Sequence, residues 1–225
     1  MLSLGIITYQ MNHLKTEQLI FSLKNRYCIK VFALPFLQRP VRSVILQHRP
    51  NPLIAAHPKE LCIRYGLEYY PIMRDDEIEN GCDYYIVAGA GILSKECLKG
   101  KRVLNGHPGI IPLVKGLDAF KWCIYDMLPL GITLHYIDEN VDEGEVISTF
   151  ETPIFLSDSL ESLARRHYEN EIRILSDFER YLLKPQFAYD KVLQGERRWR
   201  MRKDKESELY RRFELYKNKY ACNSI

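Results

Sequence analysis

Short apolar runs rich in β-branched residues alternate with helical patterns along most of this chain. The first unit has an apolar run at Leu4–Tyr9, a helical pattern at Lys15–Asn25 and a second apolar run at Ile29–Leu34. Strands and helices that alternate in this way favour a doubly wound, mostly parallel sheet with helices on both faces. We therefore predict a Rossmann-like α/β fold, in which ligands bind beyond the carboxyl ends of the strands.

The same patterns place the remaining elements. Further strands are predicted at Glu68–Pro71, Asp83–Ala88, Arg102–Asn105, Gly131–Ile137 and Val146–Ile154. Further helices are predicted near Val41–His48, from Pro58 to just before Gly66, over residues 117–127, and from a Ser157–Ser159 cap to Leu182.

We divide the chain into a domain at residues 1–184 and a small, mainly helical extension at residues 185–225. In the extension, Leu209, Phe213, Tyr216 and Tyr220 recur at helical spacing and form an apolar stripe. This stripe packs either on the domain or on a partner subunit. The second alternative, with Trp122, Phe150 and Phe155 as further apolar surface, makes a homodimer possible.

The composition is that of a soluble globular protein, with 46% hydrophobic and 27% charged residues. No apolar run approaches the roughly 20 residues of a membrane-spanning helix, and the amino terminus lacks the features of a signal peptide. We expect a cytoplasmic protein with no membrane partner. The six cysteines form no Cys-x-x-Cys pair and the histidines do not join them at ligand spacing, so we expect reduced thiols and no metal site.

Charge is unevenly distributed, although the formal net charge is only +3. Residues 18–59 contain no aspartate or glutamate but include Arg39, Arg42 and Arg49. This segment either serves solubility or binds a phosphate-bearing ligand, since guanidinium groups hold phosphates through paired hydrogen bonds. The tail is also basic, but acidic residues are interleaved along it, which favours a solvated helix face over a nucleic-acid interface.

A candidate catalytic group lies at a predicted strand end. The strand ends in Asn105-Gly-His107-Pro108, and a loop with Asp142 and Gly144 follows the next predicted strand. Side chains two residues apart in an extended segment lie on one face, so Asn105 and His107 point to the same side. Pro108 keeps His107 out of the helical region, and Gly144 permits a tight turn beside Asp142.

This constellation resembles the core of the folate-dependent formyltransferases, in which an Asn-x-His-Pro strand end faces an aspartate on a later loop. The resemblance covers residues 83–175. It implies that a formyl group passes from N10-formyltetrahydrofolate to an amine without a metal. In this chemistry a donor stabilises the oxyanion of a tetrahedral centre and a base takes the amine proton. The resemblance assigns the first role to Asn105, the second to His107, and support of the imidazole to Asp142.

The resemblance also locates the folate. The run Ala88–Ser94 looks like the family segment that lines the folate pocket, where backbone groups there and in the later loop hold the pterin ring. The matching positions, which we expect to contact the folate, are Ala90, Gly91, Ile92, Leu93, Leu104, Asp138 and Val141. His135, on the strand before that loop, corresponds to a position that is more often structural in the family.

Departures from the family pattern bear on the acceptor. Glycinamide ribonucleotide formyltransferases have a glycine-rich phosphate loop after the first strand, whereas this chain has no glycine between Gly5 and Gly66. The chain is also too short for the RNA-binding barrel of methionyl-tRNA formyltransferases. These departures favour the family members that formylate nucleotide-linked amino sugars for O-antigen, lipopolysaccharide or other surface-glycan synthesis.

The acceptor residues follow from position, charge and resemblance. Position and charge predict acceptor contacts from Tyr9, His13, Lys15, Arg42 and Arg49, and the resemblance adds Glu171. Two alternatives stay open: a purine-pathway formyltransferase with a divergent phosphate site, and a non-enzymatic module that binds nucleic acid through the basic tail. The nucleotide base, the sugar and the position of the amine also stay open.

Overall fold

The computed structural model of the protein describes residues 1–36, 43–139, 143–189 and 194–222. The strands are β1 (Ser3–Tyr9), β2 (Cys28–Leu34), β3 (Glu68–Pro71), β4 (Tyr84–Val87), β5 (Val103–His107), β6 (Lys115–Gly116), β7 (Gly131–Tyr136), β8 (Val146–Glu151) and β9 (Arg197–Arg198). The α-helices are α1 (Leu14–Leu23), α2 (Pro58–Tyr65), α3 (Lys95–Leu98), α4 (Ala119–Tyr125), α5 (Leu160–Ser176), α6 (Phe178–Leu183), α7 (Lys203–Glu206) and α8 (Leu209–Tyr220). Short 3-10 helices lie at Pro52–Ile54 and Asp75–Glu77.

Seven strands form one sheet in the order β3-β2-β1-β4-β5-β7-β8. The pairings from β3 to β5 are parallel, whereas β5–β7 and β7–β8 are antiparallel. The prediction of a mostly parallel, doubly wound α/β sheet is therefore confirmed. β5 is the strand at which the sheet changes from parallel to antiparallel pairing.

Helices cover both faces of the sheet, so the strand interiors are buried on both sides. Leu4 and Ile6 of β1 join one core together with residues of α1 and α5. Ile7 joins a second core with Phe32 and Tyr85. Burial on both faces explains why the parallel strands appear in the sequence as continuous apolar runs.

Helix α2 begins and ends where the sequence predicts. Pro58 lies in the first turn, where its missing N–H removes no helical hydrogen bond, and Gly66 ends the helix in the left-handed conformation with φ 65°. The helix after Ser159 is shorter than predicted. It ends at Ser176 because the chain turns at Asp177, and α6 continues the apolar stripe as a separate helix.

The helix predicted near Val41–His48 is wrong for the described part of that segment. Residues 43–48 form no helix, and Val41 and Arg42 lie outside the described residues. The backbone N–H groups of Ile45 and Leu46 donate to the carboxylate of Glu206 instead, at 3.0 and 3.4 Å. A carboxylate that is distant in the sequence thus accepts the hydrogen bonds that these N–H groups would donate within a helix.

The carboxy-terminal extension packs on the domain rather than leaving its apolar stripe exposed. Leu209, Phe213 and Tyr216 are buried in one core with residues of α4 and α5. β9 adds a short parallel pairing with β6, which the helical prediction for the extension lacked. Trp122 is only 8% exposed and its indole N–H donates to the Trp199 carbonyl. The apolar residues from which a homodimer was predicted are therefore mostly buried by contacts within one chain.

Two further features concern location and thiols. No helix within the described ranges is both long and apolar enough to cross a membrane. All six cysteines are free thiols, as predicted, and Cys62, Cys97 and Cys123 are buried as core residues.

Truncation of the extension's central aromatic residue tests this packing. We expect Phe213→Ala to lower the free energy of unfolding by about 3–5 kcal/mol, because a buried phenyl ring is lost and a cavity remains. The matched control Leu215→Ala, on the exposed side of the same helix, should change it by no more than about 0.5 kcal/mol. Denaturant unfolding measures both values. A loss below about 1 kcal/mol for Phe213→Ala would show that α8 does not pack on the domain.

Candidate active site

The end of β5 lies at an edge where the sheet opens. β4 pairs only with Val103 and Leu104, whereas β7 pairs with Leu104 through His107. The last three residues of β5 therefore have a strand partner on the β7 side alone. Crevices of this kind, beyond the carboxyl ends of parallel strands, are where doubly wound sheets bind ligands.

Asn105 is held by a histidine on the neighbouring strand. The two residues are paired across β5 and β7, and Asn105 Nδ2 lies 3.2 Å from His135 Nε2. His135 Nδ1 lies 2.9 Å from the Tyr136 carbonyl, which can only accept, so Nδ1 carries the proton and neutral His135 accepts at Nε2. This orients the Asn105 amide. One of its N–H bonds points to His135, and the second remains to act as a hydrogen-bond donor.

His107 is buried and bonded to the loop that follows it. It is 3% exposed, and its Nε2 lies 2.9 Å from the Val114 carbonyl. Because a carbonyl only accepts, Nε2 donates, and Nδ1 is the nitrogen at which neutral His107 can take up a proton. The ring of His107 is nearly perpendicular to that of His135, with centroids 6.5 Å apart.

Small residues and a threonine shape the loop under His107. A Cβ on Gly109 would lie 2.9 Å from both His107 Nε2 and the Val114 carbonyl oxygen, so any side chain there would disturb this hydrogen bond. Thr133 Oγ1 donates to the Gly109 carbonyl at 2.7 Å and accepts from the Ile111 N–H at 3.0 Å. The presence of glycine at this position thus has a direct structural cause.

Asp142 and Val141 lie outside the described residues, so their predicted roles stay predictions. The residues that follow them are fixed. Gly144 packs directly on the Tyr136 backbone, where a Cβ would come within 1.9 Å of the carbonyl oxygen. Glu143 accepts a hydrogen bond of 2.8 Å from the buried ammonium group of Lys115. This ion pair ties the loop to β6, next to the Val114 carbonyl that holds His107.

Three of the seven predicted folate-contact residues lie around one cleft. Gly91, Ile92 and Leu93 line a cleft of about 480 Å³, together with Tyr9, which was predicted to contact the acceptor. Ile92 is 72% exposed, an apolar side chain available to a ligand. The volume lies within the roughly 300–1,000 Å³ of small-molecule pockets.

The other three described residues of that set differ from one another. Ala90 packs at the edge of the second core. Asp138 is half-buried where the Asp142 loop begins. The Leu104 side chain is fully buried in the first core, so it does not line the cleft.

Three of the predicted acceptor residues form one buried ionic group. The carboxylate of Glu171 on α5 accepts from Lys15 Nζ and from Arg49 Nη2, each at 2.7 Å. Glu171 and Lys15 are buried, whereas the Arg49 side chain is 37% exposed. Glu171 also contacts the backbone of β5, since a Cβ on Gly106 would lie 3.1 Å from its Cγ. Arg42, the fourth basic candidate, lies outside the described residues.

These charges change the titration of their neighbours. Burial disfavours the charged form of Glu171, but the adjacent Arg49 and Lys15 outweigh it and lower its pKa to about 2. Burial, with smaller contributions from Lys15 and Arg49, lowers the pKa of His13 to about 4. His13 Nδ1 lies 2.9 Å from Thr16 Oγ1, and its ring packs edge-on against Tyr9.

The sequence reasoning missed a second, smaller cavity. It has a volume of about 150 Å³ and lies between residues 44–49, α4 and the extension. Its charged lining residues are Arg49, Asp118, Lys121 and Arg200. The only signal for this cavity in the sequence is the basic character of residues 18–59 and of the tail. No local pattern indicates that residues 49 and 200 line the same cavity.

Comparison with known proteins gives the family context. The family model described as formyl transferase matches residues 35–178. Methionyl-tRNA formyltransferase from Trichormus variabilis (strain ATCC 29413 / PCC 7937) is 28% identical over 159 residues, which cover 60% of this chain and 48% of that protein. The chain spans less than two thirds of the length of the first curated relatives that it matches.

Solved structures share the fold. Phosphoribosylglycinamide formyltransferase from Streptococcus pneumoniae TIGR4 superposes with a TM-score of 0.56 at 18% identity, over 82% of this chain and 100% of that one. WlaRD, a sugar 3N-formyl transferase studied with dTDP and 5-N-formyl-THF, superposes with a TM-score of 0.58 at 19% identity, over 89% of this chain and 70% of that one.

Replacement of the buried carboxylate tests the ionic group. We expect Glu171→Gln to lower the free energy of unfolding at neutral pH by about 3–5 kcal/mol, because Lys15 and Arg49 keep their charges without the anion. Denaturant unfolding measures the loss. The control Glu169→Gln, an exposed carboxylate on the same helix, should change stability by no more than about 0.5 kcal/mol.

The same variant has a defined pH dependence. The folded-state pKa of Glu171 is lowered from 4.5 to about 2, so its stabilisation is complete above pH 4.5 and is lost as the pH falls toward 2. The difference in unfolding free energy between wild type and Glu171→Gln should shrink over this window. A constant difference would mean that Glu171 titrates normally in the folded protein.

Proposed function

The chain belongs to the formyl transferase family, and from this membership we propose that it transfers a formyl group from N10-formyltetrahydrofolate to the amine of a nucleotide-linked amino sugar. The observation that carries the proposal is the pair Asn105 and His107 on the open end of β5, with the Asn105 amide oriented by His135. We assign residues 1–184 to the catalytic domain and residues 185–225 to an extension that serves the acceptor.

The proposed chemistry needs two groups that this strand supplies. The acceptor amine forms a bond to the formyl carbon while the carbonyl electrons move to oxygen, and the second Asn105 N–H stabilises that oxyanion. His107 takes the amine proton at Nδ1, since Nε2 is committed to Val114. The bond from the formyl carbon to folate N10 then breaks, N10 receives a proton, and the formamide and tetrahydrofolate leave. We propose that Asp142 stabilises the charged form of His107.

The larger cleft suits the donor. A pterin is a flat aromatic ring system with hydrogen-bonding groups along its edges, and the cleft offers the Ile92 and Tyr9 side chains beside the carboxylate of Asp75. We propose that the folate lies here, against Ala90–Leu93, with Asp138 and Val141 on the other side. Leu104 would contribute through its backbone.

Two features support a sugar nucleotide over glycinamide ribonucleotide as the acceptor. The connection after β1 is filled by side chains rather than formed by glycines: Gln10 Nε2 donates to the carbonyls of Ala33 and Ile72, each at 2.9 Å. In addition, Arg200 and Met201 of the packed extension line the smaller cavity together with Arg49. We propose that the acceptor's phosphates bind to the basic residues of this cavity.

Direct assay of the acceptor tests the proposal. The purified protein is incubated with N10-formyltetrahydrofolate and a panel of nucleotide-linked 3-amino and 4-amino dideoxy sugars, with glycinamide ribonucleotide as the rival acceptor. Mass spectrometry should detect a formylated sugar nucleotide. Turnover of glycinamide ribonucleotide alone would assign the chain to purine synthesis instead, and no turnover with any acceptor would contradict the proposed activity.

Substitutions at the end of β5 test the assigned roles. We expect Asn105→Ala to lower kcat by about 10²–10³ through loss of the oxyanion donor, and His107→Ala to lower it by about 10²–10⁴ through loss of the base. Steady-state kinetics measure both values. The control His57→Asn, at the start of α2, should keep wild-type kcat. An Asn105→Ala variant with kcat within threefold of wild type would remove that residue from its role.

A further inference from the structure

We propose that the smaller cavity binds the phosphate groups of the acceptor and that Arg200, from the extension, is one of its binding residues together with Arg49. The inference rests on the proposed function for the identity of the ligand. It assigns the extension a direct part in substrate recognition.

The cavity carries an excess of positive charge. Its charged lining residues are Arg49, Lys121, Arg200 and Asp118. With their ion-pair partners Lys15, Glu171 and Glu206, they form a group of four cations and three carboxylates. Glu171 forms ion pairs with Lys15 and Arg49, and Glu206 forms one with Lys121. Asp118 accepts a hydrogen bond of 3.0 Å from the Met201 N–H. Within the ranges that the structure describes, Arg200 forms no ion pair, so its guanidinium is available to an anion. The four cations exceed the three carboxylates by one positive charge.

The same charges affect the pKa of His48, which lines the cavity. His48 has its ring parallel to that of Phe120, with centroids 5.8 Å apart. Burial lowers its pKa to about 3, and the charges of Lys121, Arg49 and Arg200 contribute in the same direction. The His48 imidazole is thus neutral and lies beside cationic lining residues, and this environment suits an anionic ligand.

The position of Arg200 is fixed from both sides along the chain. Arg198 pairs with Asp126 at 2.8 Å and stacks on Trp122, and the Met201 N–H is held by Asp118. Further on, Glu206 forms a buried ion pair with Lys121 and accepts from the backbone of residues 45 and 46. The same contacts therefore bring Arg200 and the segment that ends in Arg49 into the lining of one cavity.

Size and location identify the guest as part of a larger ligand. A volume of about 150 Å³ is below that of pockets that enclose whole small molecules, and arginine pairs are well suited to phosphate oxygens. Packed rings lie between the cavity and the end of β5. His48 stacks on Phe120, Phe120 packs against His167 at 5.5 Å, and His167 Nε2 lies 3.3 Å from the Pro108 carbonyl, next to His107. In this assignment, a phosphate in the cavity and an amine at the end of β5 belong to one acceptor.

Binding measured without folate tests the inference separately from catalysis. Isothermal titration with thymidine diphosphate and with inorganic pyrophosphate gives Kd for wild type and for Arg200→Gln. We expect the substitution to weaken both ligands at least tenfold. The matched control Arg202→Gln, an 81% exposed arginine two residues further on, should stay within twofold.

The outcomes separate this inference from the proposed function. Wild-type binding that Arg200→Gln weakens supports the phosphate site even if no formyl transfer is seen. Formyl transfer by wild type with an unchanged Kd for pyrophosphate in Arg200→Gln would overturn the phosphate site and leave the proposed function standing. Failure of wild type to bind either ligand would also overturn it. In an active enzyme, Arg200→Gln should raise KM for the acceptor and leave KM for the folate unchanged.

Discussion

The antiparallel pairing of β5 with β7 is the constraint on which the candidate active site depends. The register places Asn105 opposite His135 and His107 opposite Thr133. Through these partners β7 orients the Asn105 amide and holds the loop whose Val114 carbonyl binds His107. A one-residue slip in this register would turn both side chains to the other face of the sheet. The geometry at the end of β5 thus depends on a neighbouring strand whose Thr133 and His135 are buried.

Two buried carboxylates then fix the surroundings of that strand. Glu171 holds Arg49, and Glu206 holds the backbone of Ile45 and Leu46. Residues 45–49 are therefore bound at one end to α5, behind β5, and at the other end to the extension. Buried charges are costly unless they are paired, so each carboxylate commits its partners to one arrangement. This arrangement connects the extension to α5 through residues 45–49.

The sequence predicted those features that depend on local patterns. The apolar runs identified the strands of the main sheet, Pro58 and Gly66 marked the ends of α2, and spacing placed Asn105 and His107 on one face. It failed where a distant residue decides the local structure. The helix predicted near Val41–His48 is replaced in residues 43–48 by hydrogen bonds to Glu206, and the end of α5 is set by a turn that apolar periodicity does not reveal. The presence of Arg200 and Arg49 in the lining of one cavity is of the same kind, since it depends on how the extension folds back.

For the site residues, too, the sequence did not reveal the arrangements that depend on tertiary contacts. Position and charge selected Lys15 and Arg49 as separate acceptor contacts and the family resemblance added Glu171, whereas the three are bonded to one another in a mostly buried group. His135 received no catalytic role from the sequence, and the structure shows it as a residue that positions Asn105. Both results follow from tertiary contacts between residues far apart in the sequence.

The most direct test of the account is a crystal structure of the protein with a folate analogue whose formyl group cannot be transferred. We predict that the pterin lies in the cleft beside Ile92 and Leu93, and that the formyl oxygen lies within hydrogen-bonding distance of Asn105 Nδ2 while His135 keeps its contact to the same amide. A folate bound away from β5, or an Asn105 amide turned from the formyl group, would contradict the assignment of this strand as the catalytic element.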